Sequence, residues 1–351
     1  MHTLPVKTGT RPLAQVQKLI PGLLLSAALA GVAILLGRSQ WLQHNGISAL
    51  TLAIVLGIVV GNTLYPRIAA GVGFSKQILL RAGIILYGLR LTFQDIAGVG
   101  LHGVLLDALM LASTFGLACL LGTRLFGLDR TTTLLIGAGS SICGAAAVMA
   151  TEPVVRGRAE QVAVAVSTVV VFGTLGIFLY PALFQLDQDW GLLPRDPGTW
   201  GVYIGATVHE VAQVVAAGRS IGIEAADTAV IAKMVRVMML APFLILLSAW
   251  LARDKAHRRQ HSGATKITIP WFAVGFVLVA GLNSLVSLPP ALVSHVNDLD
   301  TFLLAMAMAG LGLGTHLSAI RRAGLKPLLL AALLFAWLVL GGGFLTRLAL
   351  A

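Results

Sequence analysis

Charge is what this 351-residue chain has least of: only 11% of its residues are Asp, Glu, Lys or Arg, against roughly a quarter in an ordinary soluble domain. With 57% hydrophobic residues, so few charges cannot cover a water-soluble surface, which excludes free soluble domains and implies a polytopic membrane protein. Cysteine is nearly missing. Cys119 and Cys143 both lie in apolar runs, which argues against a structural disulfide framework. The glycines from 137 to 144 are not followed by Lys and Ser or Thr, so no nucleotide-binding loop and no ATP-driven step are implied. His209-Glu210 opens a zinc-protease pattern, but Gln213 stands where its second His belongs, so metal-assisted hydrolysis is disfavoured and neither metal nor cofactor is expected. Acid is scarcer than base, 14 residues against 25. In a soluble chain that balance suggests nucleic acid; here it belongs to loops that set orientation, and the bilayer is the expected partner.

What is present is a succession of apolar runs. Residues 1–18 read as a basic cytoplasmic tail and 19–351 as one integral transport domain. The runs extend from Leu19 to Leu36, Ile47 to Tyr65, Gln77 to Phe93, Leu101 to Leu121, Val162 to Leu183, Ala229 to Leu251, Ile269 to Leu288, Leu299 to Leu313 and Pro327 to Leu348. Gly100-Leu101 and Gly88-Leu89 recur as Gly324-Leu325 and Gly312-Leu313 in one register. This suggests repeat-like units at about 47–183 and 198–348, inverted and permuted in order.

Two stretches do not read as plain spans. In Thr131 to Val155, small and hydroxylated residues (Gly139, Ser140, Ser141, Cys143, Gly144) interrupt an apolar run. Glycine weakens a helix by about 1 kcal/mol against alanine, so a break is expected, with half-helix ends aimed at a substrate; the alternative is a small-residue packing surface. Gly198 to Gly218 carries His209, Glu210 and Gln213. Loop charge separates re-entrance from crossing. If each stretch returns to its own side, Arg124, Arg130, Arg156 and Arg158 share the cytoplasmic side with the Arg253 to Lys266 cluster and Arg321-Arg322. The acidic segments around Asp187 and Asp298-Asp300 then fall outside, giving nine full crossings. Unwound crossing helices are the alternative.

Polar residues at membrane depth mark function or pairing. Arg90 contacts a ligand or anchors at the interface. Lys233 and Arg236, three apart on one helix face, clamp an anion or reach water near a span end. Asp107 makes a structural hydrogen bond or couples an ion. Glu210 beside His209 forms a proton relay or is fixed by Lys233 or Arg236.

The runs GAGSSICGAAAVMATEPVV, GATVHEVAQVVAAG and IAKMVRVMMLAP resemble the YeiH-type family of bacterial membrane proteins, to which sulfate export is ascribed. The resemblance implies a multi-pass inner-membrane protein and a small anionic substrate. The sequence reading is an all-α polytopic membrane protein with an inverted-repeat transporter-like fold and two broken or re-entrant elements. Its expected function is secondary transport of sulfate or a related sulfur oxyanion or organosulfonate by alternating access, as a possible homo-oligomer and not an enzyme. The alternative is an anion channel or membrane anion sensor. The site expected for the anion comprises Gly139, Ser140, Ser141, Cys143, Gly144, His209, Gln213, Arg90, Lys233 and Arg236, with Glu210, His209 and Asp107 for ion coupling.

Overall fold

A computed structural model describes residues 12–350 apart from 40–41, 43–47, 99, 192, 195, 254–270, 287 and 316–323. The basic clusters expected at 255–266 and 321–322 lie outside these residues. Among the described residues the chain is helical throughout, without strands. The elements used below are α1 (Pro12–Leu36), α2 (Ala49–Phe74), α3 (Leu80–Tyr87), α4 (Gly100–Arg124), α5 (Arg130–Ser141), α6 (Ala145–Val155) and α7 (Ala159–Trp190). They continue as α8 (Pro197–Thr207), α9 (Val211–Ile221), α10 (Ile223–Met238), α11 (Leu240–Arg253), α12 (Trp271–Leu285), α13 (Pro290–Leu313) and α14 (Leu325–Leu350).

Among the described residues seven stretches are long and apolar enough to cross a membrane, and four shorter apolar ones remain, Ala49–Gly61, Val274–Leu285, Ala145–Val155 and Val211–Ile221. The first of these pairs with the span Ala69–Arg90. Gly57 and Gly61 press on Ala309, Gly312 and Leu313 of α13, and Val72 and Ser75 lie against Gly310 of the same helix. A straight helix climbs about 1.5 Å per residue, so α2 cannot run straight between these two sets of contacts on α13.

Ala145–Val155 and Val211–Ile221 are instead the return arms of two helical hairpins. α5 starts at Asp129, whose carboxylate caps Thr132 N at 2.9 Å. Its hairpin closes where the same carboxylate accepts from Gln161 Nε2 at 2.7 Å, beyond the end of α6. Leu135 lies near Gly157, and Val148 near Gly139, so α5 and α6 are antiparallel. α8 starts with Pro197 behind the cap Asp196, which accepts from Thr199 N at 2.7 Å. Gly201 and Gly205 approach Ala225 and Ala229 of α10, while Gly218 of α9 approaches Ala226. α8 therefore runs parallel to α10, and α9 runs against both. Between the hairpins α7 spans 32 residues, roughly 48 Å, so they enter from opposite faces. Both broken stretches return to the face they left, as the loop charges suggest.

Contacts recur in the register that aligns Gly100 with Gly324, both at positive φ (+62° and +83°). Gly88 packs on Phe276 and Ala280 of α12, and Gly312 packs on Ile54 and Ile58 of α2. Trp337 Nε1 donates to Ser113 Oγ at 3.1 Å, joining two residues at the same position of that register.

Of the boundaries that differ from the sequence expectation, one bears on a candidate site residue. α13 begins at Pro290, not Leu299, so Asp298 and Asp300 both lie inside a helix, Asp298 exposed and Asp300 fully buried. Asp300 pairs with Arg90 at 3.0 Å, a partner that makes its burial tolerable.

Candidate functional site

The two hairpins meet tip to tip. α5 runs unbroken through Gly137 and Gly139, which are buried against Ala118 and Val148 respectively, so these two glycines serve packing. The helix ends at Ser141; Ile142 leaves helical geometry and Gly144 turns the chain at φ +70°. Gly144 is required twice over. Its backbone angle disfavours side chains, and a methyl there would strike Glu210 Cγ. The second tip is Val208-His209-Glu210, between α8 and α9.

Four half-helix ends converge there. The C-terminal ends of α5 and α8 present carbonyls with no helical partner, carrying partial negative charge. Lys233 and Arg236 on α10 take them up. Lys233 Nζ donates to Ile142 O at 2.7 Å and to Val208 O at 2.6 Å, and Arg236 Nε donates to Ser141 O at 2.7 Å. One ammonium thus bonds both tips. The N-terminal ends of α6 and α9 present N–H groups, and Glu210 takes up the first. Its Oε1 accepts from Ala145 N at 3.1 Å, and it precedes α9 in a capping box in which Gln213 Oε1 accepts from Glu210 N at 3.0 Å.

The side chains expected for the site divide accordingly. Lys233 and Arg236 are each 1% exposed, so they do not reach water near a span end. Arg236 keeps Nη1 and Nη2 without a hydrogen bond. Ser140 is buried with its Oγ unpaired, whereas Ser141 Oγ returns to Ala138 O in its own helix at 3.4 Å. His209 and Gln213 are buried with Nδ1 and Nε2 unpaired, and Cys143 lies beside the same charges. Asp107 on α4 is fully buried with both oxygens unpaired, and the charges acting on it are Arg236 and Lys233. Glu210 makes no ion pair with Lys233 or Arg236 within 4.0 Å; among the described residues Arg90–Asp300 is the ion pair found.

Arg90 is not at the tips. It binds Asp300, Asn297 O and Thr301 Oγ1, and its guanidinium lies 5.2 Å from the Tyr87 ring centroid. Tyr87 donates to Asp227 of α10 at 2.7 Å and accepts from Arg219 of α9 at 3.5 Å. Two cavities, of about 790 and 460 Å³, flank this cluster, and both are bordered by Arg90 and Ile223. Sequence reading missed Asp227, Arg219 and the structural role of Asp300. Asp227 lies just before the apolar run that starts at Ala229, and the partners of Arg90 are remote in sequence.

The comparisons agree on a family. Residues 21–331 match the family model described as conserved hypothetical protein 698. The chain is 99% identical, over its whole length and that of the relative, to a UPF0324 membrane protein of Pseudomonas aeruginosa. It is 60% identical to the UPF0324 inner membrane protein YeiH of Escherichia coli K12 over 92% of each chain, and 57% identical to a UPF0324 membrane protein of Yersinia pestis over 97% of this chain and 96% of that one. No solved structure matches. A chain whose described residues are all-α, with seven long apolar helices among them, and that has such relatives is a multi-pass inner-membrane protein, and it belongs to the UPF0324 family that includes YeiH.

Proposed function

We propose that this protein is a secondary transporter of a small oxyanion, sulfate or a related organosulfonate, working by alternating access. The observation that carries the reading is Arg236: a buried guanidinium anchored through Nε to one hairpin tip, with both Nη groups unpaired. A guanidinium fork suits two oxygens of a sulfate or sulfonate. Hydroxyl and imidazole groups of Ser140 and His209 supply further contacts at the same depth. Opposed re-entrant hairpins support alternation, because each tip lies within a short arm of one face and irregular backbone at membrane depth is tolerated where it lines a cavity. The cluster of Arg90, Tyr87 and Asp227 lies outside the anion site in this reading and lines the cavities at one face.

Counterflow in proteoliposomes tests it. Internal unlabelled sulfate should accelerate uptake of radiolabelled sulfate by the wild type. Uptake without such trans-stimulation would indicate a channel, and binding without uptake a sensor.

A further inference from the structure

A pair of buried groups remains that hairpin packing does not use. Arg236 offers Nη1 and Nη2, and Asp107 offers Oδ1 and Oδ2, none of them hydrogen-bonded. Asp107 is the charge acting most strongly on Arg236, and Arg236 acts on Asp107 ahead of Lys233. No nitrogen–oxygen contact within 4.0 Å joins them. α4 packs on α10, and a buried carboxylate and a buried guanidinium on these two helices, each with atoms short of partners, form a costly arrangement unless something alternates between them.

Building on the anion-transport reading, we infer that Asp107 is the proton-coupling group and competes with the transported oxyanion for the free fork of Arg236. With the site unloaded, ionised Asp107 balances Arg236. When an oxyanion takes the fork, two negative charges cannot share that dry space. A proton from the aqueous side then open binds a carboxylate oxygen, and the neutral acid can donate a hydrogen bond to the anion. On the other side the anion leaves, the proton is released, and Asp107 returns to Arg236. One proton thus moves with each anion, in the same direction.

The surroundings leave few rivals for this role. α10 brings Lys233 and Arg236 towards Asp107, and Lys233 is committed to Ile142 O and Val208 O. α8, which also packs on α4, brings Tyr203, whose hydroxyl donates to Val339 O at 2.6 Å. α5 and α14 bring no charge that acts on it among the described residues. Around Arg236 the other titratable neighbours are Lys233, Tyr180, Cys143 and His209, the last of which serves the anion in the transport reading. Glu210 caps the return arm α6 through Ala145 N, so its carboxylate has structural work to do.

The test uses the full chain in proteoliposomes with radiolabelled sulfate and methanesulfonate. Wild type should show both exchange and accumulation driven by an imposed pH gradient. Asp107→Asn should lose gradient-driven accumulation, its uptake reaching the same level with the pH gradient as without it. Asp107→Glu, which retains an acid, should recover the response to the gradient. Accumulation preserved in Asp107→Asn would overturn the assignment and leave anion transport standing. Exchange of neither anion by wild type would overturn the transport reading and this assignment with it. Should the Asn variant fail to fold, proton uptake on adding either anion to purified wild type in weak buffer decides: about one proton per bound anion is expected, and none overturns the assignment.

Discussion

The two hairpin tips reach the same depth from opposite faces, yet they are built from different parts. The first, Ile142-Cys143-Gly144, contributes backbone: the carbonyls of Ser141 and Ile142 and the N–H of Ala145. The second, Val208-His209-Glu210, contributes one carbonyl and the side chains that reach across, Glu210 to the first hairpin and Gln213 back to its own cap. The first tip therefore requires small residues and special backbone angles, and the second requires particular functional groups. Substitutions should separate them.

The largest effect belongs to the residue both tips share. Lys233→Met strips two buried carbonyls of their donor, and each buried group left unsatisfied costs about 1–3 kcal/mol. Thermal melting should show a greater loss for it than for Gly144→Ala or Glu210→Gln. A smaller loss would mean that the tips do not depend on that ammonium. Next is the first tip alone. Gly144→Ala adds a methyl at φ +70° against Glu210, and backbone strain of this kind costs on the order of 1–3 kcal/mol. Pairing it with Glu210→Ala, which removes the atoms it strikes, should recover part of the loss in a double-mutant cycle. Strict additivity would separate the two tips.

Glu210→Gln is milder, because an amide oxygen can still accept from Ala145 N; about 1 kcal/mol or less is expected, the net scale of one hydrogen bond. Gradient-driven accumulation should survive it, in contrast to Asp107→Asn. Ser140→Ala should leave stability nearly unchanged, since its Oγ is unpaired. It should weaken sulfate binding by about 1–3 kcal/mol, the value of a hydrogen bond to a charged group. Equal affinity in the variant would remove Ser140 from the site.

The same contrast explains what was legible in the sequence. Gly144 and the hydroxylated run before it announce a break, because backbone irregularity has a local signature in small residues. The opposed entry of the hairpins is legible from Arg156, Arg158 and the acidic loop after α7, because topology writes itself into loop charge. The bonds that make the tips a site are not. Lys233 binds carbonyls of Ile142 and Val208, and a carbonyl is the same at every position, so no residue type marks the acceptor. Arg90 looks like an anion ligand for a related reason: its true partner, Asp300, sits inside a helix that begins at Pro290, ahead of the apolar run at Leu299 that marks it in the sequence.

Every role given to the tips depends on two hairpins entering from opposite faces, and sided labelling tests that most directly. In a background with Cys119 and Cys143 replaced by Ala, single cysteines would be placed at Arg158, beyond the first hairpin, and at Glu224, beyond the second; both side chains are exposed. An impermeant thiol reagent should reach position 224 in intact cells and position 158 only from the cytoplasmic side of inverted vesicles. Labelling of both positions from the same side would rule out opposed entry.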